Sequence, residues 1–241
     1  MPVSSMPHSS WAEVYDFAYK YSFGSLYSQL TDATIEVITN RIKPPAKIVD
    51  FGAGTGRLSI PLAKMGYKVV AVEPCAEMLT RLEQKRDGVA VTTACLKMEE
   101  FVSNEEFEFA LCVFTVLLYL LDEEALIKSM SMAYASLKPK GRLLIDIPSK
   151  AIFQGFVSRN TKIERSVSVT PKSDDVFNYQ ESIEVKNNNG VMSKYKDEFL
   201  IRYWREEKVL AILKEIGFIL AKDLSSSFVG TGSSYYIMRK A

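Results

Sequence analysis

The chain has 241 residues, 47% hydrophobic and 24% charged, the proportions of a globular protein that can bury a core of its own. Thirty basic residues stand against 29 acids, a net charge of +1, so there is no broad basic field to hold a phosphate backbone and a nucleic-acid substrate is disfavoured. No apolar run reads as a signal sequence or is long enough to span a membrane, and three cysteines without CxxC spacing (Cys75, Cys95, Cys112) suit neither a disulfide framework nor a zinc site but a reducing cytoplasm.

The only histidine, His8, lies in a Ser/Pro-rich start that is expected to be mobile. That placement argues against a Ser-His-Asp hydrolase and against a histidine-ligated metal. Residues 11–40 read as two helices broken around Ser22-Phe23-Gly24. Leu26, Leu30, Ile35 and Ile38 form an apolar stripe on the second, and Pro44-Pro45 stop it. Short apolar strands then alternate with helices. Strands are predicted at 46–51, 67–72, 88–93, 107–113 and 141–147, and helices near 57–65, 75–86, 97–102 and 122–137. "LKPKG" after Ser136 reads as a helix exit. Repeated βα units imply a parallel sheet wound on both faces.

From 162 to 204 the periodicity becomes that of an antiparallel ribbon. Phe177, Tyr179, Ile183 and Val185 share one face; Val191, Tyr195, Phe199, Ile201 and Tyr203 share another; "NNNG" at 187–190 is a hairpin turn signal. A helix at about 205–216, ended by Gly217, leads to strands 218–224 and 233–240. The expected organisation is an N-terminal helical cover (1–44), an α/β core (45–149 and 205–241) and an inserted antiparallel β lid (150–204).

The chemistry concentrates in "VDFGAGTG", residues 49–56, followed by "VVAVEPCAEML" with its acid Glu73. A strand, a glycine-rich loop and a helix expose backbone N–H groups at the carboxyl edge of a parallel sheet, where nucleotide-like ligands bind. Glu73 closes the next strand and can reach ribose hydroxyls. Dinucleotide binding needs G-x-G-x-x-G, but here Arg57 stands where that pattern has its third glycine. A nicotinamide-dependent oxidoreductase is therefore disfavoured.

These stretches, with "FEFALCVFTVLLYL", "ASLKPKGRLLIDIP", "LKEIGF" and the terminal "SYYIMR", resemble the class I S-adenosylmethionine-dependent methyltransferases over roughly residues 45–147 and 205–240. The resemblance implies a Rossmann-like, doubly wound seven-stranded sheet with its last strand antiparallel. It implies S-adenosylmethionine as cofactor, S-adenosylhomocysteine as product and a small-molecule methyl acceptor. Gly52, Ala53, Gly54 and Gly56 would line the methionine moiety and ribose, with Asp50 supporting the loop and the ligand's amino group. Glu73 would take the ribose hydroxyls, Pro74 and Met78 would flank the adenine, and Leu96 would offer it a backbone N–H. Phe114 would sit under the methionine end, and Tyr19 on the N-terminal helix would cover the cofactor. Cys95 stands where relatives usually carry Asp, and Leu118-Tyr119 where many carry His. Those two departures keep a non-catalytic binding module as the alternative. On the acceptor side the polar candidates are Tyr119, Asp146 and Tyr203. The aromatic ribbon face would wall the acceptor or serve a homodimer.

Overall fold

The computed structural model describes residues 6–186 and 192–241. The "NNNG" turn and Val191 lie outside the described residues. A short 3-10 segment, Ser9–Val14, leads into α1 (Tyr15–Phe23) and α2 (Ser25–Thr39), which meet at Gly24 as the sequence predicts. The core continues through β1 (Lys47–Phe51), α3 (Ser59–Lys64), β2 (Lys68–Val72), α4 (Ala76–Lys85), β3 (Val91–Ala94), β4 (Phe107–Cys112), α5 (Glu123–Ser136) and β5 (Leu137–Pro148). Four more strands follow: β6 (Phe156–Arg159), β7 (Ile163–Ser173), β8 (Val176–Lys186) and β9 (Met192–Arg202). The chain then returns to the core as α6 (Glu206–Ile216), β10 (Phe218–Asp223) and β11 (Ser233–Lys240).

Seven strands form one sheet in the order β10-β11-β5-β4-β1-β2-β3. The inner pairs are parallel, and β11 runs antiparallel to both β5 and β10. The sheet matches the expected α/β class and its antiparallel last strand. Ile48–Phe51 and Phe109–Cys112 are buried without interruption, because helices cover both faces of these strands. On one face Leu126, Met130 and Ala133 of α5 pack with Val209, Ile212 and Leu213 of α6. On the other, Leu30 and Ile38 of α2 join Leu62 of α3 and Leu79 and Leu82 of α4.

Three local expectations are corrected. The helix at 97–102 is a single 3-10 turn, Met98–Glu100. "LKPKG" is part of a long β5: the register jumps from Leu137 opposite Phe107 to Arg142 opposite Phe109, and the intervening residues are accommodated in that irregularity. The inserted ribbon also gains a strand, β6, and becomes a separate four-stranded antiparallel sheet in the order β6-β7-β8-β9.

The inner face of this second sheet is turned toward the core rather than outward. Ile163 and Ile183 pack against Trp11, Ala18 and Tyr19 of the N-terminal segment. Ile201 packs with Leu118 and Phe153. Much of the aromatic face predicted from the alternation is thus covered within the chain.

Asp122 precedes α5 and accepts a hydrogen bond from the Ala125 backbone N–H at 2.8 Å, an N-cap. Asp122→Ala should lower stability by about 0.5–2 kcal/mol, seen as a lower urea midpoint at unchanged slope.

Candidate active site

The glycine loop opens at the carboxyl end of β1, at the floor of a cavity of about 650 Å³. Asp50, Gly52, Ala53, Gly54 and Thr55 line it from below, with Glu73, Pro74, Cys75 and Met78 along one side. A cavity of this size suits a nucleoside-scale ligand. A second cavity of about 400 Å³ adjoins it, lined in part by Asp146, Arg165, Tyr179 and Tyr235. His8, Tyr19, Tyr27, Phe114, Tyr119 and Phe199 line both, so they stand at the junction.

Glu73 does more than face a ligand. One carboxylate oxygen accepts the Gly54 N–H and the other the Cys75 N–H, each at 3.0 Å. The loop after β1 and the start of α4 are therefore tied through one side chain. Burial pushes its pKa up, and the two N–H donors oppose that rise. Each carboxylate oxygen keeps acceptor capacity for a ligand hydroxyl. Asp50 accepts the Ser59 hydroxyl at 2.6 Å, bracing the start of α3, and burial pushes it up to about 6 against that bond.

The glycines divide by what lies beside them. At Gly54 (φ +55°) an added Cβ would meet only the Met78 methyl, at 3.5 Å, on the cavity side. At Gly56 (φ +83°) it would lie 2.7 Å from Leu82 and 3.0 Å from Ile60, so that glycine serves helix packing and does not line the cavity.

Above the loop is an aromatic roof. Tyr15 and Tyr19 stack at 4.3 Å, and Phe114 stands 5.6 Å from Tyr19 and 5.7 Å from Tyr27. The Arg57 guanidinium lies 4.4 Å from the Phe114 ring centroid and donates to the Thr31 hydroxyl at 2.9 Å. Phe114 and Thr115 both adopt left-handed φ (69° and 68°), a strained pair at the end of β4. The Asp146 carboxylate holds that turn by accepting the Thr115 N–H at 3.0 Å, and burial pushes Asp146 up to about 6.

The other predicted residues are placed less centrally. Cys95 and Leu96 line neither cavity; the Cys95 thiol faces the Pro74 carbonyl at 3.6 Å, and Lys97, Met98 and Glu99 form that wall instead. Tyr203 also touches neither cavity and packs edge-on against Phe153.

His8 requires a correction. Far from lying in a mobile arm, it is 7% exposed. Its backbone N–H donates to the Asp197 carboxylate and its ring Nε2 is 2.8 Å from the Tyr119 hydroxyl. Its partners are more than a hundred residues away, beyond what local composition can register. Tyr27 and Arg165 were also absent from the predicted set, whereas Phe199, expected on the aromatic ribbon face, lines both cavities. Arg165 had a legible signal: it shares the parity of the buried Ile163 and Val167 on β7.

Residues 48–141 match the family described as a methyltransferase domain. A protein of Geobacillus sp. (strain WCH70) with a provisional methyltransferase name is 33% identical over 135 residues, covering 53% of this chain and 55% of that relative. The match thus spans about half the length of each. An S-adenosylmethionine-dependent methyltransferase from Clostridium acetobutylicum ATCC 824 superposes with a TM-score of 0.82 at 19% identity, covering 95% of this chain and 98% of that one. An amino pentose methyltransferase of calicheamicin biosynthesis from Micromonospora echinaspora, solved with S-adenosylmethionine bound, gives 0.73 at 21% identity, over 95% and 97%.

Two substitutions separate the glycine roles. Gly54→Val should stay folded and lose S-adenosylhomocysteine binding, whereas Gly56→Val should lose about 1–3 kcal/mol of stability through overpacking, read by calorimetry and urea melts on both proteins. Glu73→Ala should weaken that ligand roughly tenfold or more. It should also lower the urea midpoint, because two loop N–H groups lose their acceptor; an unchanged midpoint would mean that the tie carries no stability.

Proposed function

We propose that this chain, a class I S-adenosylmethionine-dependent methyltransferase by domain and fold, binds that cofactor above the glycine loop and methylates a small molecule held in the adjoining cavity. The observation that carries the reading is the pair of cavities meeting at the carboxyl edge of the sheet, one on the glycine loop and Glu73, the other beneath the second sheet. S-adenosylmethionine supplies a sulfonium-bound methyl group that an acceptor lone pair displaces in line.

The residues present fit that cofactor. The Glu73 carboxylate suits the hydroxyls of a ribose, Met78 and Pro74 suit a flat base, and Tyr19 with Phe114 offers π-faces to a cation. What this chain contributes is alignment and exclusion of water. Tyr19 and Phe114 roof the junction, with Tyr15 stacked on Tyr19 over the first cavity, and the inner face of the second sheet closes the acceptor side, acting as a lid. Such a chamber suits an acceptor of small-molecule size. The amino pentose methyltransferase with the same fold supports that class. No helix of the described residues is long and apolar enough to cross a membrane, and the free Cys75, Cys95 and Cys112 suit a reducing cytoplasm, where we place the enzyme.

The test is direct. Calorimetry should show S-adenosylmethionine and S-adenosylhomocysteine binding at micromolar strength, and radiolabelled methyl should pass to a member of a panel of hydroxylated and amino small molecules. No heat at concentrations well above micromolar removes the cofactor assignment. Binding without transfer to any panel member would favour a non-catalytic module.

A further inference from the structure

A second set of polar groups lies behind the junction of the two cavities. Arg165, Glu181 and Asp197 occupy inward positions on three adjacent strands, where their neighbours are Ile163, Ile183 and Ile201. Arg165 Nε donates to Glu181 Oε1, so the two charges offset each other inside the protein. The other oxygen of Glu181 is buried without a hydrogen-bond partner, and so is Nδ1 of His8, 3.8 Å away. On its far side the same imidazole meets the Tyr119 hydroxyl, 2.8 Å from Nε2. Trp11, Tyr15 and Phe199 stand edge-on around the ring at 5.0, 5.5 and 5.1 Å, which fixes its orientation.

This arrangement favours one placement of the protons. At 3.8 Å Nδ1 and the Glu181 oxygen make no hydrogen bond, but a carboxylate paired with Arg165 attracts a hydrogen on the nitrogen facing it and repels a bare lone pair there, which selects the tautomer protonated at Nδ1. Nε2 is then a bare lone pair, and the Tyr119 hydroxyl must donate to it. The Tyr119 oxygen is left with its lone pairs free to accept at the junction of the cavities.

Resting on the methyltransferase reading above, we infer that the acceptor is a hydroxyl group, that Tyr119 is the catalytic residue that takes its proton, and that His8 and Glu181 are the positioning residues behind it. As the acceptor oxygen forms its bond to the methyl carbon, the carbon–sulfur bond breaks and its electron pair stays on sulfur as a neutral thioether. The acceptor's proton passes to the Tyr119 oxygen, and the Tyr119 proton passes to Nε2 of His8. The resulting imidazolium is held by the Glu181 carboxylate. A neutral amine would need none of this, because its methylated product keeps its charge as an ordinary ammonium.

The groups facing His8 are Arg165 on β7, Glu181 on β8, Asp197 on β9, Tyr15 on α1 and Tyr119 after β4. Burial, assisted by the Arg165 charge, lowers the His8 pKa to about 3, so the ring is neutral and able to accept at any physiological pH. Such a weak base still suffices, since an oxygen that has gained a third bond is a far stronger acid than an imidazolium.

His8 is the only histidine of the chain, so its ring nitrogens give a spectrum with no overlap. With nitrogen-15-labelled histidine, the ring should be neutral from pH 8 to pH about 5. Nδ1 should be the protonated nitrogen and Nε2 a hydrogen-bonded acceptor. Tyr119→Phe should move the Nε2 resonance toward that of a free lone pair. Glu181→Gln should shift the tautomer balance; if that variant does not fold, Tyr119→Phe alone decides. A ring charged at pH 7, a proton on Nε2, or a Tyr119→Phe spectrum like the parent would overturn the relay. In the acceptor panel the methyl should appear on oxygen, and Tyr119→Phe should slow that transfer roughly a hundredfold or more. Methylation on nitrogen alone would overturn the hydroxyl assignment. The labelled spectrum needs neither cofactor nor acceptor, so failure of cofactor binding by calorimetry is read separately from failure of the relay.

Discussion

One carboxylate holds the site together. Glu73 ends β2 and ties the loop after β1 to the start of α4 by receiving one N–H from each. The loop's glycines are permissive, and its backbone bonds (Gly52 and Ala53 to the Val72 carbonyl, Gly56 to that of Ala53) leave the Gly54 N–H between them to be held. An acid from the neighbouring strand supplies the missing constraint. It does so at a cost, since the charge is half-buried and its pKa is pushed up. A ligand offering hydroxyls to the same oxygens would offset part of that cost, which couples loop order to ligand binding.

The end of β4 follows the same logic in another form. Phe114 and Thr115 hold left-handed conformations that cost roughly 1–3 kcal/mol each. Asp146, one strand over on β5, receives the Thr115 N–H and pins the turn. The turn aims Phe114 up toward Tyr19, Tyr27 and Arg57, and it starts the short 3-10 segment Val116–Tyr119 that delivers the Tyr119 hydroxyl to His8. Two adjacent left-handed residues thus stand where the two cavities meet, one strand end away from the regular parallel pairing of β1 with β2 and β4.

Legibility in the sequence tracks the distance over which each feature is determined. The alternation of apolar strands and helices, the glycine loop and Glu73 are local, and each lies where its own neighbours predict. The strand pair at the end of the chain is likewise where its periodicity puts it. His8 fails the same test because a Ser/Pro-rich neighbourhood says nothing of Tyr119, Glu181 and Asp197. Arg165 and Glu181 are an intermediate case. Their positions share the parity of the isoleucines around them, so alternation marks them as inward, yet their charge reads as solvent-facing until each is seen beside the other. The wall built by Lys97, Met98 and Glu99 falls two residues past the one expected from Cys95 and Leu96. It depends on where a 3-10 turn begins, which short polar sequence does not specify.

The N-terminal segment that roofs the junction has a consequence for how the protein comes into being. Its backbone N–H at His8 is bonded to Asp197, across 189 residues of chain. A ribosome adding about 5–20 residues per second takes roughly ten to forty seconds to make that partner. Until then Trp11, Tyr15, Phe17 and Tyr19 lack the completed second sheet to pack against. These aromatics therefore precede the strands that bury them by more than a hundred residues, and that unsatisfied interval is where a nascent-chain chaperone would find them.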